Sequence, residues 1–246
     1  MTTAPFLFLG IRAEDVAADD EYDAFVRAGG LTPDQLHRVR LEAAPLGPVD
    51  LGAYSGVLLG GGSFCVSDPV TTKSPTQLRV EADIDRLLAD VLANDVPFLG
   101  CCYGIGALGR HVGALVDRTY PEPVSGVAVH VTPDGAADPV FATCGPQFYA
   151  FTGHKEAVTA LPAHAVLLAT GDRAPVQAFR VGRAYATQFH PELDLAGLEL
   201  RMHTYAQFGY FAPDELDDIL AEAAVSGVGA LPPVLRQFVD EHIRPA

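Results

Sequence analysis

Val96-Pro97-Phe98-Leu99-Gly100-Cys101-Cys102-Tyr103-Gly104 reads as a buried strand that stops abruptly and offers a thiol at a glycine-flanked turn. A strand-to-helix bend needs small residues on both sides of its apex, because larger neighbours would collide where the backbone folds back. Gly100 and Gly104 bracket Cys102 symmetrically. The segment Ile105 to Leu108 would begin a helix, which sets the Cys102 sulfur near unpaired amides and the positive dipole end that favour a thiolate. Cys101 would point back toward the sheet. An α/β enzyme carries its nucleophile at such an elbow, although an ordinary strand end with a buried, inert thiol has the same composition.

Upstream of the elbow, apolar runs alternate with helical periodicity as in βα units. Strands are expected at Pro5–Leu9, His37–Leu41, Gly56–Leu59 and Pro97–Cys101. Between the last two, Gln77–Ala93 sets Leu78, Ile84, Leu87, Leu88 and Val91 close to one helical stripe and reads as a crossover helix. Downstream the chain turns β-rich. Val124–Thr132 alternates, and shorter runs follow at Phe148–Phe151, Val166–Ala169, Pro175–Arg180 and Ala184–Phe189, suggesting hairpins added to the sheet. Leu195–Phe208, Asp214–Ala224 and Leu231–Ile243 read as helices. The expected organisation is one domain over residues 1–195, with a helical extension over 196–246 packed on it.

Composition excludes several classes of partner. The 246 residues are 49% hydrophobic with a mean hydropathy of +0.19, enough for the two-sided core that a parallel sheet requires. Sixteen basic against 31 acidic residues give a net charge of −15, which repels phosphate backbones and argues against nucleic acid or an anionic membrane. The run Phe6-Leu7-Phe8-Leu9 lacks a basic leader and is too short to span a bilayer. Cys65, Cys101, Cys102 and Cys144 show no metal-ligand spacing, and two are adjacent. A reducing cytoplasm with no structural metal is expected.

Three further stretches bear on chemistry. Thr187-Gln188-Phe189-His190-Pro191-Glu192 ends an apolar run. Proline holds His190 extended, and residues two apart in an extended segment share a side, so Glu192 can reach the imidazole. That pairing suits a base and its orienter, serving the Cys102 thiol. Leu58-Leu59-Gly60-Gly61-Gly62-Ser63 runs a strand into three glycines. Bare amides there, with that of Tyr103, could bind an oxyanion; a phosphate cradle is disfavoured because no Gly-Lys-Ser/Thr follows. Finally, Thr152-Gly153-His154-Lys155-Glu156-Ala157-Val158 offers His154 either as a pocket residue or as the partner of a buried hydrogen bond.

Gly100-Cys101-Cys102-Tyr103-Gly104 resembles the Gly-x-Cys-x-Gly elbow of class I (triad) glutamine amidotransferases, and Gln188-Phe189-His190-Pro191-Glu192 resembles their downstream His-x-Glu motif, in the same order and at a matching separation. Gly153-His154-Lys155-Glu156-Ala157-Val158 is similar to the Ser-His-x-Asp-x-Val segment of the amidotransferase domain of GMP synthetase. The likeness covers about residues 5–195. It implies a flavodoxin-like three-layer sandwich with a mixed, mostly parallel central sheet. By the same likeness Cys102 is the nucleophile, His190 the base, Glu192 its orienter, and Gly62 with Tyr103 the oxyanion donors, with substrate against Gly61, Gly106 and His154.

Two positions depart from the family. A glutamine usually stands two residues beyond the second elbow glycine, where this chain has Gly106, which would enlarge the pocket. Ser63 replaces the proline that normally follows the glycine run. The implied chemistry is cofactor-free hydrolysis of a glutamine side-chain amide through a cysteine thioester, with ammonia released or passed to a separate synthetase subunit. A γ-glutamyl hydrolase or peptidase acting on another amide, and a non-catalytic binding protein of the same fold, are the alternatives.

Overall fold

A computed structural model of the chain describes residues 3–206 and 213–246. Strand β1 (Phe6–Gly10) leads through helix α1 (Asp15–Gly29) to β2 (Leu36–Arg40) and β3 (Gly56–Leu59). Helix α2 (Pro75–Ala93) crosses to β4 (Phe98–Cys101), and α3 (Tyr103–His111) follows at once. Then come β5 (Leu115–Asp117), β6 (Glu122–Val131), the single turn α4 (Pro133–Ala136), β7 (Gln147–His154) and β8 (Ala157–Ala160). Strands β9 (Val166–Gly171), β10 (Ala178–Val181) and β11 (Ala184–Thr187) precede α5 (Leu195–Tyr205), α6 (Leu216–Val225) and α7 (Val234–His242).

The main sheet has the order β2-β1-β3-β4-β11-β10-β9-β6-β7, while β5 and β8 form a separate antiparallel pair. Neighbours from β2 to β11 pair in parallel, and those from β11 to β7 pair antiparallel. Only β10 and β6 therefore run against the rest, so seven of the nine strands point one way.

Alternation along β1 shows why helices must cover both faces. Leu7 and Leu9 enter one core with Val57 and Leu59, beneath Val80, Ile84, Leu87 and Val91 of α2 and Ile105 and Leu108 of α3. Phe6 and Phe8 enter the other with Leu58 and Leu99, against Phe25 of α1 and Val234, Leu235, Phe238 and Val239 of α7. Successive side chains on a strand point to opposite faces, so a wholly apolar β1 must be buried on both. The result is a flavodoxin-like helix–sheet–helix sandwich. Beyond the second core, Leu198 and Met202 of α5 and Ala223 of α6 close over Phe151 of β7. Among the described residues no helix is long and apolar enough to cross a membrane.

The elements differ from expectation at specific places. Leu78, assigned to the buried stripe of α2, is 41% exposed, because the stripe that faces the sheet runs through Gln77, Val80, Ile84, Leu87, Leu88 and Val91 and leaves position 78 to its side. The helix begins two residues earlier than expected, with Ser74 capping the Gln77 amide and Pro75 at the first position. Helix α1 lies where no helix is expected from periodicity. Its buried face is Ala17, Ala18, Glu21, Ala24, Phe25 and Gly29, mostly small residues with one acid and a single aromatic, in place of the run of large aliphatic residues that marks α2. The helix expected over Leu195–Phe208 is described to Tyr205, and residues 207–212 lie outside the described residues.

Candidate active site

The elbow forms where the glycines require it. Strand β4 ends at Cys101, α3 begins at Tyr103, and Cys102 between them is held at φ 55° and ψ −93°, a sparsely populated conformation for any residue with a Cβ. A Cβ on Gly100 would stand 2.9 Å from the Cα of Gly104, so the bend closes only if position 100 is bare. The Cys102 amide donates to Thr187 O at 2.8 Å, tying the elbow to β11. Because β4 and β11 are parallel with Cys101 opposite Thr187, the residues that follow each strand emerge side by side. Cys102 and His190, far apart in sequence, meet for that reason.

His190 leaves β11 through an antiparallel bridge to Phe151, its amide donating to Phe151 O at 3.0 Å. Its Nδ1 lies 2.8 Å from Glu192 Oε1, and its Cε1 and the Cβ of Cys102 both crowd the bare face of Gly61. Burial works to lower the His190 pKa, but Glu192 and the Cys102 sulfur outweigh it and hold the imidazole up at about 9. Burial would likewise raise Glu192, yet His190 and Arg201 hold that carboxyl down at about 2. Arg201 on α5 donates Nη1 to the same Glu192 oxygen at 3.1 Å. Burial pushes Cys65 and Cys144 up to about 12 and Cys101 well above the usual thiol range. Only Cys102 of the four is not buried.

The glycine run is built into the same corner. A Cβ on Gly61 would stand 2.8 Å from His190 Cε1 and 3.3 Å from Cys102 Cβ, so Gly61 is the floor on which thiol and imidazole meet. The Gly60 amide donates to Leu9 O, and that of Gly61 to Glu21 Oε1 at 3.0 Å. Glu21 also accepts from Arg12 Nε at 2.9 Å, burying an ion pair under the loop. Gly62, next along, borders the space around Cys102, as does Tyr103 at the first position of α3, where a helix leaves its amides without intrahelical partners. Sequence reasoning missed Arg12 and Glu21 because α1 itself was not legible.

Two clefts meet at Cys102. The larger, about 600 Å³, is bordered by His190, Arg12, Arg201, Val124, Leu193, Met202 and others. The smaller, about 340 Å³, is bordered by Tyr103, His154, Lys155, Glu156 and Gln188. Gly62, Ser63, Cys102 and Gly153 border both. His154 borders the smaller cleft, and its ring lies between Glu122 Oε2 at 2.8 Å and Glu156 O at 2.9 Å.

Gly106 borders neither cleft, and the expected enlargement is absent. A Cβ there would stand 2.8 Å from Glu156 Oε1, whose carboxylate is pinned by the amides of Val66 at 2.9 Å and Ser67 at 2.7 Å. The space left by the missing side chain is filled by Glu156, from the turn between β7 and β8, rather than opened to ligand. Among the described residues no group of three or more His, Cys, Asp or Glu is placed to hold a metal ion.

Comparison with known proteins places the chain in a family and a fold. The family model for "Glutamine amidotransferase class-I" matches residues 39–202. GMP synthase [glutamine-hydrolyzing] of Serratia proteamaculans is 30% identical over 146 residues, covering 56% of this chain and 25% of that protein. The enzyme of the same name from Thermus thermophilus is 30% identical over 152 residues, covering 61% and 27%. This chain thus spans about a quarter of the curated relatives it matches. Among solved structures, a glutamine amidotransferase from Thermotoga maritima superposes with a TM-score of 0.72 at 22% identity, over 96% of this chain and 97% of that one. A glutamine amido transferase from Methylobacillus flagellatus gives 0.71 at 16%, over 100% and 98%. These two likenesses establish the fold.

Proposed function

The chain belongs to the class-I glutamine amidotransferase family, and from that premise we propose that it is a cysteine-dependent amidohydrolase that cleaves the side-chain amide of glutamine. The observation that carries this reading is the convergence of Cys102 and His190 on Gly61, with Glu192 behind the ring. In the proposed cycle the Cys102 thiolate attacks the amide carbon, and Gly62 and Tyr103 donate their amides to the oxyanion that forms. His190, protonated and held so by Glu192, gives its proton to the nitrogen as the C–N bond breaks, and ammonia leaves. Water then adds to the γ-glutamyl thioester while His190 takes its proton; glutamate departs and the thiolate is restored. Glu192 stays ionised throughout and fixes the ring orientation.

His154, beside the smaller cleft, positions the bound acyl group. Gly61 contributes by being bare, and Gly106 by admitting Glu156. Residues 1–195 carry the chemistry in this reading, and 196–246 supply packing and Arg201. The relatives are synthases named for glutamine hydrolysis, which supports ammonia delivery to a separate synthetase subunit as the use of the product. The four free cysteines fit a reducing cytoplasm. The test is ammonia release from glutamine by the purified chain and by its Cys102→Ala variant: the wild type should turn over and the variant should not. Equal rates would refute the assignment.

A further inference from the structure

Each glycine of the run 60–62 is bare for a different neighbour. A Cβ on Gly60 would stand 2.5 Å from Glu21 Oε2, one on Gly61 2.8 Å from His190 Cε1, and one on Gly62 2.6 Å from Ile11 Cδ1. The run is closely packed, yet it has no side chain of its own to fix its conformation, and glycine adopts either sign of φ with little penalty. Its path is therefore set from outside, through its backbone amides. The Gly60 amide is held by Leu9 O of β1 at 3.1 Å, and the Gly61 amide by Glu21 Oε1 of α1 at 3.0 Å. The Gly62 amide has no hydrogen-bond partner among the described residues, and Gly62 borders both clefts that meet at Cys102. Of three consecutive donors, two are spent on anchors and the third is left beside the thiol.

Glu21 is set deep for an anchor. Its side chain is 1% exposed, and a carboxylate at that depth is costly unless a cation and hydrogen bonds compensate it. Arg12 supplies the charge, donating Nε to the same Oε1 at 2.9 Å. Arg12 is buried in turn, and its Nη1 donates to the Tyr205 hydroxyl of α5 at 3.3 Å. A line of contacts, Tyr205 to Arg12 to Glu21, thus ends on the Gly61 amide. Glu21 itself borders neither cleft.

Resting on the Cys102 reading above, we infer that Glu21 is a positioning residue for the oxyanion site. It holds the peptide between Gly60 and Gly61 so that the Gly62 amide is presented to the oxygen that becomes negative when the Cys102 thiolate adds to the amide carbon. Glu21 touches neither the substrate nor the reacting atoms, and Arg12 acts one step further back by compensating the carboxylate. A charged acceptor makes the firmer tether, since a hydrogen bond to an ionised group is about twice as strong as one between neutral groups. Loss of one oxyanion donor lowers turnover by about 10²–10³, and a donor left unsteady by a loose loop forfeits part of that.

The experiment separates the oxyanion from the thiol. Hydrolysis of glutamine passes through an oxyanion, whereas alkylation of Cys102 by iodoacetamide displaces iodide in one step and needs none. Two variants of the full chain are compared. Arg12→Met with Glu21→Met removes the ion pair whole and leaves the Gly61 amide without an acceptor; Arg12→Met with Glu21→Gln restores a neutral acceptor. Removing both charges together avoids the stranded buried charge that either single change would leave. The expected kcat for ammonia release is lower in the first than in the second by about tenfold or more, with KM for glutamine within about twofold, as for an interaction made in the transition state alone. Both variants should alkylate at the same rate. Equal turnover overturns the inference, and so does a parallel fall in alkylation, which would mean that the change reaches the Cys102–His190 pair rather than the loop. If the first variant does not fold, Glu21→Asp takes its place against the wild type, keeping the charge for Arg12 and drawing the oxygen back by one methylene group, with the same expectations and the same two refuting results. Either refuting result leaves the Cys102 reading intact. No ammonia from the wild type removes both.

Discussion

Arg201 donates to the very oxygen of Glu192 that faces His190: Oε1 lies 3.1 Å from the guanidinium and 2.8 Å from the imidazole. The His190–Glu192 pair is thus braced by a residue of α5, beyond the strand that delivers it. Arg201 also lies 3.8 Å from Asp20 on α1, so the brace joins two helices. Replacing Arg201 by Gln leaves the buried Glu192 with one partner instead of two. Breaking a buried ion pair costs about 3 kcal/mol, and urea unfolding should show a loss of that order. A loss below about 0.5 kcal/mol, the range of ordinary surface changes, would show that the contact does not brace the site.

The His190–Glu192 pair makes stability pH-dependent in a definite direction. Glu192 is lowered from 4.5 to about 2, so its contribution is complete above 4.5 and is lost as pH falls through about 2. His190 is raised from 6.5 to about 9, so its contribution is complete below 6.5 and is lost as pH rises through about 9. Both are fully present only between 4.5 and 6.5. Denaturation midpoints measured across the pH range should peak in that window, and Glu192→Gln should flatten the acid limb. A wild-type profile with no peak there would contradict the coupling.

Cys102 holds a conformation that suits glycine better than itself, at φ 55°. Relieving such a conformation is worth about 1–3 kcal/mol, offset in part by the entropy glycine loses on folding. Cys102→Gly is therefore expected to raise the unfolding free energy by about 1 kcal/mol while abolishing turnover. A destabilised variant would mean that the elbow is not strained.

Two glycines at the site separate function from packing. Gly61→Ala drives a methyl into His190 and Cys102 and should cut kcat/KM by about a hundredfold, the scale of a 1 Å misplacement of reacting groups. Gly106→Ala instead meets the pinned Glu156 carboxylate and should cost about 1–3 kcal/mol of stability, as overpacking does. Adding Glu156→Ala to it should restore part of that loss, since contacting residues are not additive. Full additivity of the two changes would refute the contact.

The parts of this site that sequence makes legible are those borne on apolar strands. The elbow announces itself by a buried run ending between glycines, and His190 with Glu192 by a run ending at Pro191. Their meeting depends on Cys101 standing opposite Thr187, which parallel β order alone leaves open. Partners contributed from a distance leave no local trace. Glu21 sits in a helix whose buried stripe is mostly small residues, and Arg201 looks like any charged residue on a helix until Glu192 is found beneath it. The expectation for Gly106 ran the wrong way for the same reason. A missing side chain reads as space, and nothing near it in the chain says that Glu156 fills it.

The central claim is that Cys102 is the nucleophile, and a glutamine-like electrophile tests it most directly. Incubating the intact chain with 6-diazo-5-oxonorleucine and mapping the adduct by peptide mass spectrometry should give one modification, on Cys102, with loss of ammonia release. The buried Cys65, Cys101 and Cys144 should remain unmodified, and Cys102→Ala should neither label nor turn over. An adduct on another residue, or a Cys102→Ala protein that still releases ammonia at the wild-type rate, would contradict the account.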